Sequence, residues 1–424
     1  MGVMRTAKIG AELQLPPTFS GGLRGVMPSR VGAGCARGWI GAYCGQFFSA
    51  VCRECWQITE VSCCGVLHRM KVTDPVNQSA KPQPSIQPKA FKNNFDILRI
   101  VLATTVFYAH MGALAGIDLL KNLPSGIAVQ GFFIVSGYLI VKSYLRNSNI
   151  TTYIKSRFFR IYPLMFVVIS FCFIIGYLNY PSSFYDYMND GALKYLISNY
   201  SFANFLAPSL PGMFTENEIT AVNGSLWTLK VEVMFYISVP IIYGFFNRYI
   251  NNHALTILIA VISIASHYLI GYLVEKHGFS SSLHNQIPSM MLFFMVGAMF
   301  NFANLEFLKG HHLIFLIPLL LLFKDIYILS ALLVGAFVYI IAFSIKPVKV
   351  SNKIGDVSYG IYIWHFPIIQ IYVMYGFFEN IYIGFVLSTI TVALMATCSW
   401  HFIESKLIHK PFNPKKLRKV RTSP

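Results

Sequence analysis

Stretches of apolar residues, most of them long enough to cross a bilayer, recur along the chain from residue 95 to residue 403. They lie near 95–115, 126–145, 161–180, 227–246, 254–274, 287–303, 311–324, 326–345, 357–376 and 381–403. Hydrocarbon offers no partner to a backbone N–H or C=O, so a spanning segment must be a helix or part of a closed barrel. Runs near 20 residues without strict alternation fit helices. The expected fold is therefore all-α, a polytopic membrane helix bundle with about ten transmembrane helices. Charged residues make up 12% of the chain, half of the roughly 25% usual in soluble domains.

The basic residues orient this array. If the first helix starts in the cytoplasm, the first inside segment holds Lys142, Arg146, Lys155, Arg157 and Arg160. Arg248 and Lys309 mark the next two, and Lys346, Lys349 and Lys353 the fourth. The tail carries Lys406, Lys410, Lys415, Lys416, Arg418, Lys419 and Arg421, while the outside loops hold only Lys121, Lys194, Lys276 and Lys324. Such asymmetry is the positive-inside pattern, and it predicts both ends in the cytoplasm. Attraction to an anionic leaflet accounts for most of the net charge of +17, so no nucleic-acid partner is needed.

The chain divides unevenly. Residues 1–90 differ in composition from the rest and hold Cys35, Cys44, Cys52, Cys55, Cys63 and Cys64. Cys52 and Cys55 form a CxxC, but the irregular spacing to a second pair argues against zinc, and no metal site is expected. Residues 1–69 read as a misannotated or disordered extension, and a polar Pro/Gln/Ser/Lys linker from 79 to 88 leads into the first helix. A membrane domain is expected over 91–405, followed by a basic cytoplasmic tail, 406–424.

Several polar side chains fall inside the apolar runs, where they are costly and need partners. Arg99 and His110 share FDILRIVLATTVFYAHMGALA. Their spacing of eleven residues is nearly three helical turns, so they project from one face about 16 Å apart along the axis. Together they suggest a buried polar site; the alternative is that Arg99 snorkels to the interface and His110 caps the other end of the helix. Ser136 in GFFIVSGYLI can bond across a helix interface, or simply leave room for packing. Arg157 and Arg160 in KSRFFRIYP form an i,i+3 pair suited to phosphate, or serve topology alone. Glu232 in NGSLWTLKVEVMFY requires protein or water as partner, and Lys230 is poorly placed for it. Trp227 fits an aromatic belt. His365 falls near mid-membrane, ahead of Pro367, which leaves a helix carbonyl without its donor. It is a second candidate for a reaction site or proton path, or a hydrogen-bonded structural residue.

These pieces together resemble the integral-membrane acyltransferase 3 family, polytopic enzymes that O-acylate bacterial surface glycans. The matching elements are FDILR with His110 at R-x10-H spacing, GFFIVSGYLI, RFFRIYP, SLWTLKVEVMFY, SYGIYIWHFP and the closing HFIESKLI with Glu404. They occur in order over roughly 91–405; Ile97 and Ile100 depart from the small residues common at those places. The resemblance implies an O-acyltransferase of the non-amino-acyl class in a bacterial inner membrane. It would move an acyl group, acetyl being the commonest, from cytoplasmic acyl-CoA to a hydroxyl of a polysaccharide or lipid-linked glycan such as O-antigen, capsule or exopolysaccharide. No bound cofactor is expected beyond the acyl-CoA donor. The resemblance implies catalytic roles for His110, Arg99 and Glu232, with His110 as general base or transient acyl carrier. Arg157, Arg160, Ser136, Trp227, Tyr359 and His365 become donor- or substrate-binding candidates. The outside loop 181–224 is suited to sugar contacts, and no appended periplasmic hydrolase-like domain is expected after the tenth helix. The alternative is a multi-helix transporter of a small anionic or acylated metabolite, against which the lack of visible inverted repeats speaks.

Overall fold

The computed structural model describes residues 93–347 and 355–408. The cysteine-rich extension, Lys349, Lys353 and the tail from residue 409 lie outside them. Among the described residues there is no strand. Ten helices of eleven residues or more follow one another: α1 (Phe95–Ala115), α2 (Ser125–Arg146), α3 (Ile150–Asn179), α4 (Leu226–Val239), α5 (Asn252–His277), α6 (Ile287–Met299), α7 (Leu313–Phe323), α8 (Tyr327–Tyr339), α9 (Ser358–Met374) and α10 (Ile381–Ser399). Each matches one of the apolar runs. Seven segments are long and apolar enough to cross a membrane: those built on α1, α2, α3, α4, α5, α8 and α10. By contrast, α6, α7 and α9 have only 13, 11 and 17 residues.

One boundary differs from the apolar pattern in a way that matters. The third run begins at 161, but α3 starts at Ile150, where the Asn149 side chain accepts from the Thr152 N–H. A cap of this kind satisfies a donor that the helix cannot, so the helix extends through the charged turns instead of beginning after them. Arg157 and Arg160 are therefore helical residues aimed by α3, not members of a loop.

Two glycines let α2 and α6 come together. A Cβ on Gly137 would stand 1.9 Å from the Phe294 carbonyl oxygen, and one on Gly297 would stand 1.8 Å from that of Ile134. Only hydrogen fits at either position, the small-residue contact that drives helix association where lipid removes the hydrophobic gain.

Two prolines leave carbonyls without their usual donor, and side chains from neighbouring segments supply one. Pro367 cannot donate to Ile363, and the Asn223 amide does so instead, at 3.0 Å. Pro240, which opens a widened turn after α4, leaves Tyr236 in the same state, and the Tyr153 hydroxyl donates to it at 3.0 Å. The first bond fastens the loop before α4 to α9, and the second fastens α4 to α3. The loop before α4 is tied down as well: Gln370 donates to the carbonyls of Ile219 and Ala221 and accepts from Asn217.

Candidate active site

The first helix faces α9 along its length. Near its start Arg99 bonds Asp356, just ahead of α9, at 3.0 Å. Near its end His110 Nδ1 lies 2.7 Å from His365 Nε2. Both sequence numbers rise in the same direction, so the helices are parallel. The one-face reading of Arg99 and His110 holds, because one neighbouring segment receives both.

At the Arg99 end a charged network is assembled from four elements. Arg99 also bonds Asp96, one turn earlier, at 2.7 Å. Arg160 from α3 reaches the same Asp356 oxygen at 2.7 Å and Glu404, beyond α10, at 3.4 Å. The Ser358 hydroxyl donates to the other Asp356 oxygen. Burial alone would raise the Asp356 carboxyl, but Arg160 and Arg99 outweigh it and hold the group at about 2. Two of the three arginines singled out in the sequence, Arg99 and Arg160, are thus partnered by carboxylates. The third, Arg157, has no carboxylate partner among the described residues. It donates to Ser143 and lies over the rings of Tyr153 and Tyr236.

This network borders a cavity of about 350 Å³ between α2, α3, α4 and α9. Arg99, Arg157, Arg160, Ser136, Glu232 and Tyr359, six of the nine residues singled out in the sequence, line it. Glu232 accepts from the Tyr236 hydroxyl at 2.5 Å and from Ser136 at 3.5 Å. Lys230 lies instead over the Phe205 ring. Tyr359 donates to the Ile161 carbonyl and faces Arg160. Trp227 is half-buried against the apolar core and is not part of the cavity wall.

The two histidines also stand outside the cavity wall. Tyr362, one turn before His365, lines the cavity and packs edge-on against the His365 ring. Its hydroxyl shares a 2.6 Å hydrogen bond with Thr228, another wall residue. Tyr362 therefore stands between the cavity and the His365 ring. His365 is fully buried; its ring lies nearly parallel to that of His110.

Asp356, Tyr236 and Tyr362 were not singled out in the sequence. Asp356 had a visible signal, as an acid opening the SYGIYIWHFP segment with arginines available in two other runs. The two tyrosines had none, because nothing marks them among the 24 in the chain.

A family model described as an acyltransferase domain matches residues 92–400. The chain is 28% identical over 330 residues to an O-acetyl transferase of Shigella phage Sf6, covering 74% of this chain and 96% of that protein. It is 27% identical to nodulation protein 10 of Rhizobium leguminosarum bv. viciae, covering 74% and 92%. It is 22% identical to the O-acetyltransferase OatA of Staphylococcus aureus strain NCTC 8325 / PS 47, covering 68% of this chain and 53% of that protein. No solved structure matches the chain. With the family match spanning the helices, the cavity and both histidines, the chain is a multi-pass membrane protein belonging to the acyltransferase 3 family.

Proposed function

We propose that the protein is an O-acetyltransferase, moving an acetyl group from cytoplasmic acetyl-CoA to a hydroxyl of a cell-surface polysaccharide. One observation carries the reading: within the family-matched segment, α1 joins an arginine-lined cavity at Arg99 to a histidine pair at His110, about 16 Å away along the helix. The names of the phage and staphylococcal relatives support acetyl as the group moved. The family match also favours an enzyme over the transporter alternative.

In this reading ten helices cross a bacterial inner membrane with the Arg99 end inside, as the lysine and arginine asymmetry implies. Arg157, with no carboxylate partner among the described residues, contacts donor phosphate, and Arg160 flanks it. Asp356 holds Arg99 and Arg160 in place. The thioester arm extends from the arginines toward His110 past Tyr362. The acceptor oxygen attacks the thioester carbonyl carbon, His110 takes the hydroxyl proton, the C–S bond breaks, and the proton returns to the departing thiolate. Glu232, in the cavity wall, keeps Tyr236 and Ser136 oriented along the donor path.

Mass spectrometry of surface glycan from cells with and without the gene tests this. Loss of about one acetyl per repeat unit in the deletion supports it. An unchanged glycan, with the protein expressed and inserted in the parent cells, refutes it.

A further inference from the structure

The histidine pair carries directional information beyond its contact distance. His365 Nδ1 lies 3.1 Å from the Ile361 carbonyl oxygen. A carbonyl has only lone pairs, so a hydrogen bond there requires the proton on His365 Nδ1. A neutral imidazole carries one N–H, which leaves His365 Nε2 an acceptor. That nitrogen faces His110 Nδ1 at 2.7 Å, so the proton between them belongs to His110 Nδ1. The opposite arrangement would set the lone pair of His365 Nδ1 against that of the Ile361 oxygen. Nε2 of His110 then carries its lone pair, and among the described residues it has no hydrogen-bond partner. The ring is braced edge-on by Phe366, with centroids 5.3 Å apart.

From this geometry we infer that His365 is a positioning residue that fixes the tautomer of His110 and leaves its Nε2 as the nitrogen that takes the acceptor proton. The chain of contacts runs from the Ile361 carbonyl through His365 Nδ1 and Nε2 to His110 Nδ1, and ends at His110 Nε2. Which ring nitrogen is reactive is set by what the other one bonds, and here a helix carbonyl sets it at one remove. The inference rests on the proposed function in taking His110 as the base. It adds that the base works only in the tautomer His365 selects. When a hydroxyl proton reaches Nε2 as the new C–O bond forms, the doubly protonated ring keeps its Nδ1–H bond to His365. It returns the Nε2 proton to the thiolate as C–S breaks, so proton and electron pairs balance.

The test uses full-length protein purified in detergent, with acetyl-CoA and the acceptor glycan as substrates. His365→Leu removes the acceptor for His110 Nδ1–H, whereas His365→Gln keeps an amide oxygen near the place of Nε2. His365→Leu should lower kcat by at least about 100-fold, with the acetyl-CoA KM within about twofold of wild type, since a wrong tautomer costs on the order of 10⁴ where it has been isolated. His365→Gln should recover at least about tenfold of that loss. If His365→Leu turns over at near the wild-type rate while His110→Ala is inactive, the tautomer inference falls and the base assignment stands. Equal inactivity of the Leu and Gln variants, at wild-type melting temperature, also overturns it. Should His365→Leu fail to accumulate, ¹⁵N-histidine NMR of the wild-type protein decides: the inference requires the His110 proton on Nδ1, and finding it on Nε2 refutes it. An active His110→Ala would instead refute the proposed base.

Discussion

Asp356→Asn should expose the electrostatic tension built into the arginine end of the cavity. Both guanidinium groups meet at one Asp356 oxygen, at 3.0 Å from Arg99 and 2.7 Å from Arg160. Those two nitrogens are therefore at most about 6 Å apart. With the carboxylate neutralised, two unit charges at that separation repel by about 3 kcal/mol at an effective dielectric near 20. Loss of one member of a buried pair costs about 3–5 kcal/mol. The lower figure applies here, because Arg99 keeps Asp96 and Arg160 keeps Glu404. A destabilisation of about 3 kcal/mol should lower Tm by roughly 6–12 °C, read by fluorescence-detected size exclusion of heated detergent extracts. Arg99→Met added to Asp356→Asn removes the repulsion and should recover part of the loss. An Asp356→Asn protein melting within a degree of wild type would refute the claim that this carboxylate holds the two arginines together. So would a double variant that melts below both singles.

Since Asp356 titrates at about 2 in the folded protein against an ordinary 3.8, its stabilising effect is full above about pH 4 and lost as pH falls toward 2. The difference in Tm between wild type and Asp356→Asn should shrink over that window and hold steady above it. Gly297→Leu should reduce membrane abundance and melting temperature sharply, by more than the 1–3 kcal/mol usual for overpacking, because its Cβ meets the Ile134 backbone and not a movable side chain. Arg157→Ala should raise the acetyl-CoA KM about 10–100-fold while changing kcat little, as loss of a charged hydrogen bond of about 1.5–3 kcal/mol to a bound phosphate requires; steady-state kinetics on the purified protein measures it.

The ten helices were legible because lipid forbids an unpaired backbone, so apolar runs map almost directly onto helices. The start of α3 was not, because its first turns are charged and depend on the Asn149 cap, a contact that hydropathy does not register. Spacing alone placed Arg99 and His110 on one face, and the partner of that face is α9. The identity of their partners was only half visible. His365 stood out as a buried imidazole in a span, yet nothing in the sequence indicated that it would meet His110 rather than Glu232. Asp356 escaped notice because charge near a helix start is ordinary until two arginines from distant helices converge on it. The role of Pro367 was readable as a carbonyl lacking its donor; that Asn223 supplies the donor is a property of the packed bundle.

If His110 is the base for acyl transfer, its imidazole is needed at every turnover. Release of free CoA thiol from acetyl-CoA, measured on purified wild-type and His110→Ala proteins with acceptor glycan present, reads this out. The wild type should release thiol in an acceptor-dependent way, and His110→Ala should lose at least about 100-fold of that rate at equal abundance and unchanged melting temperature. Near-normal release by His110→Ala would contradict that role of His110.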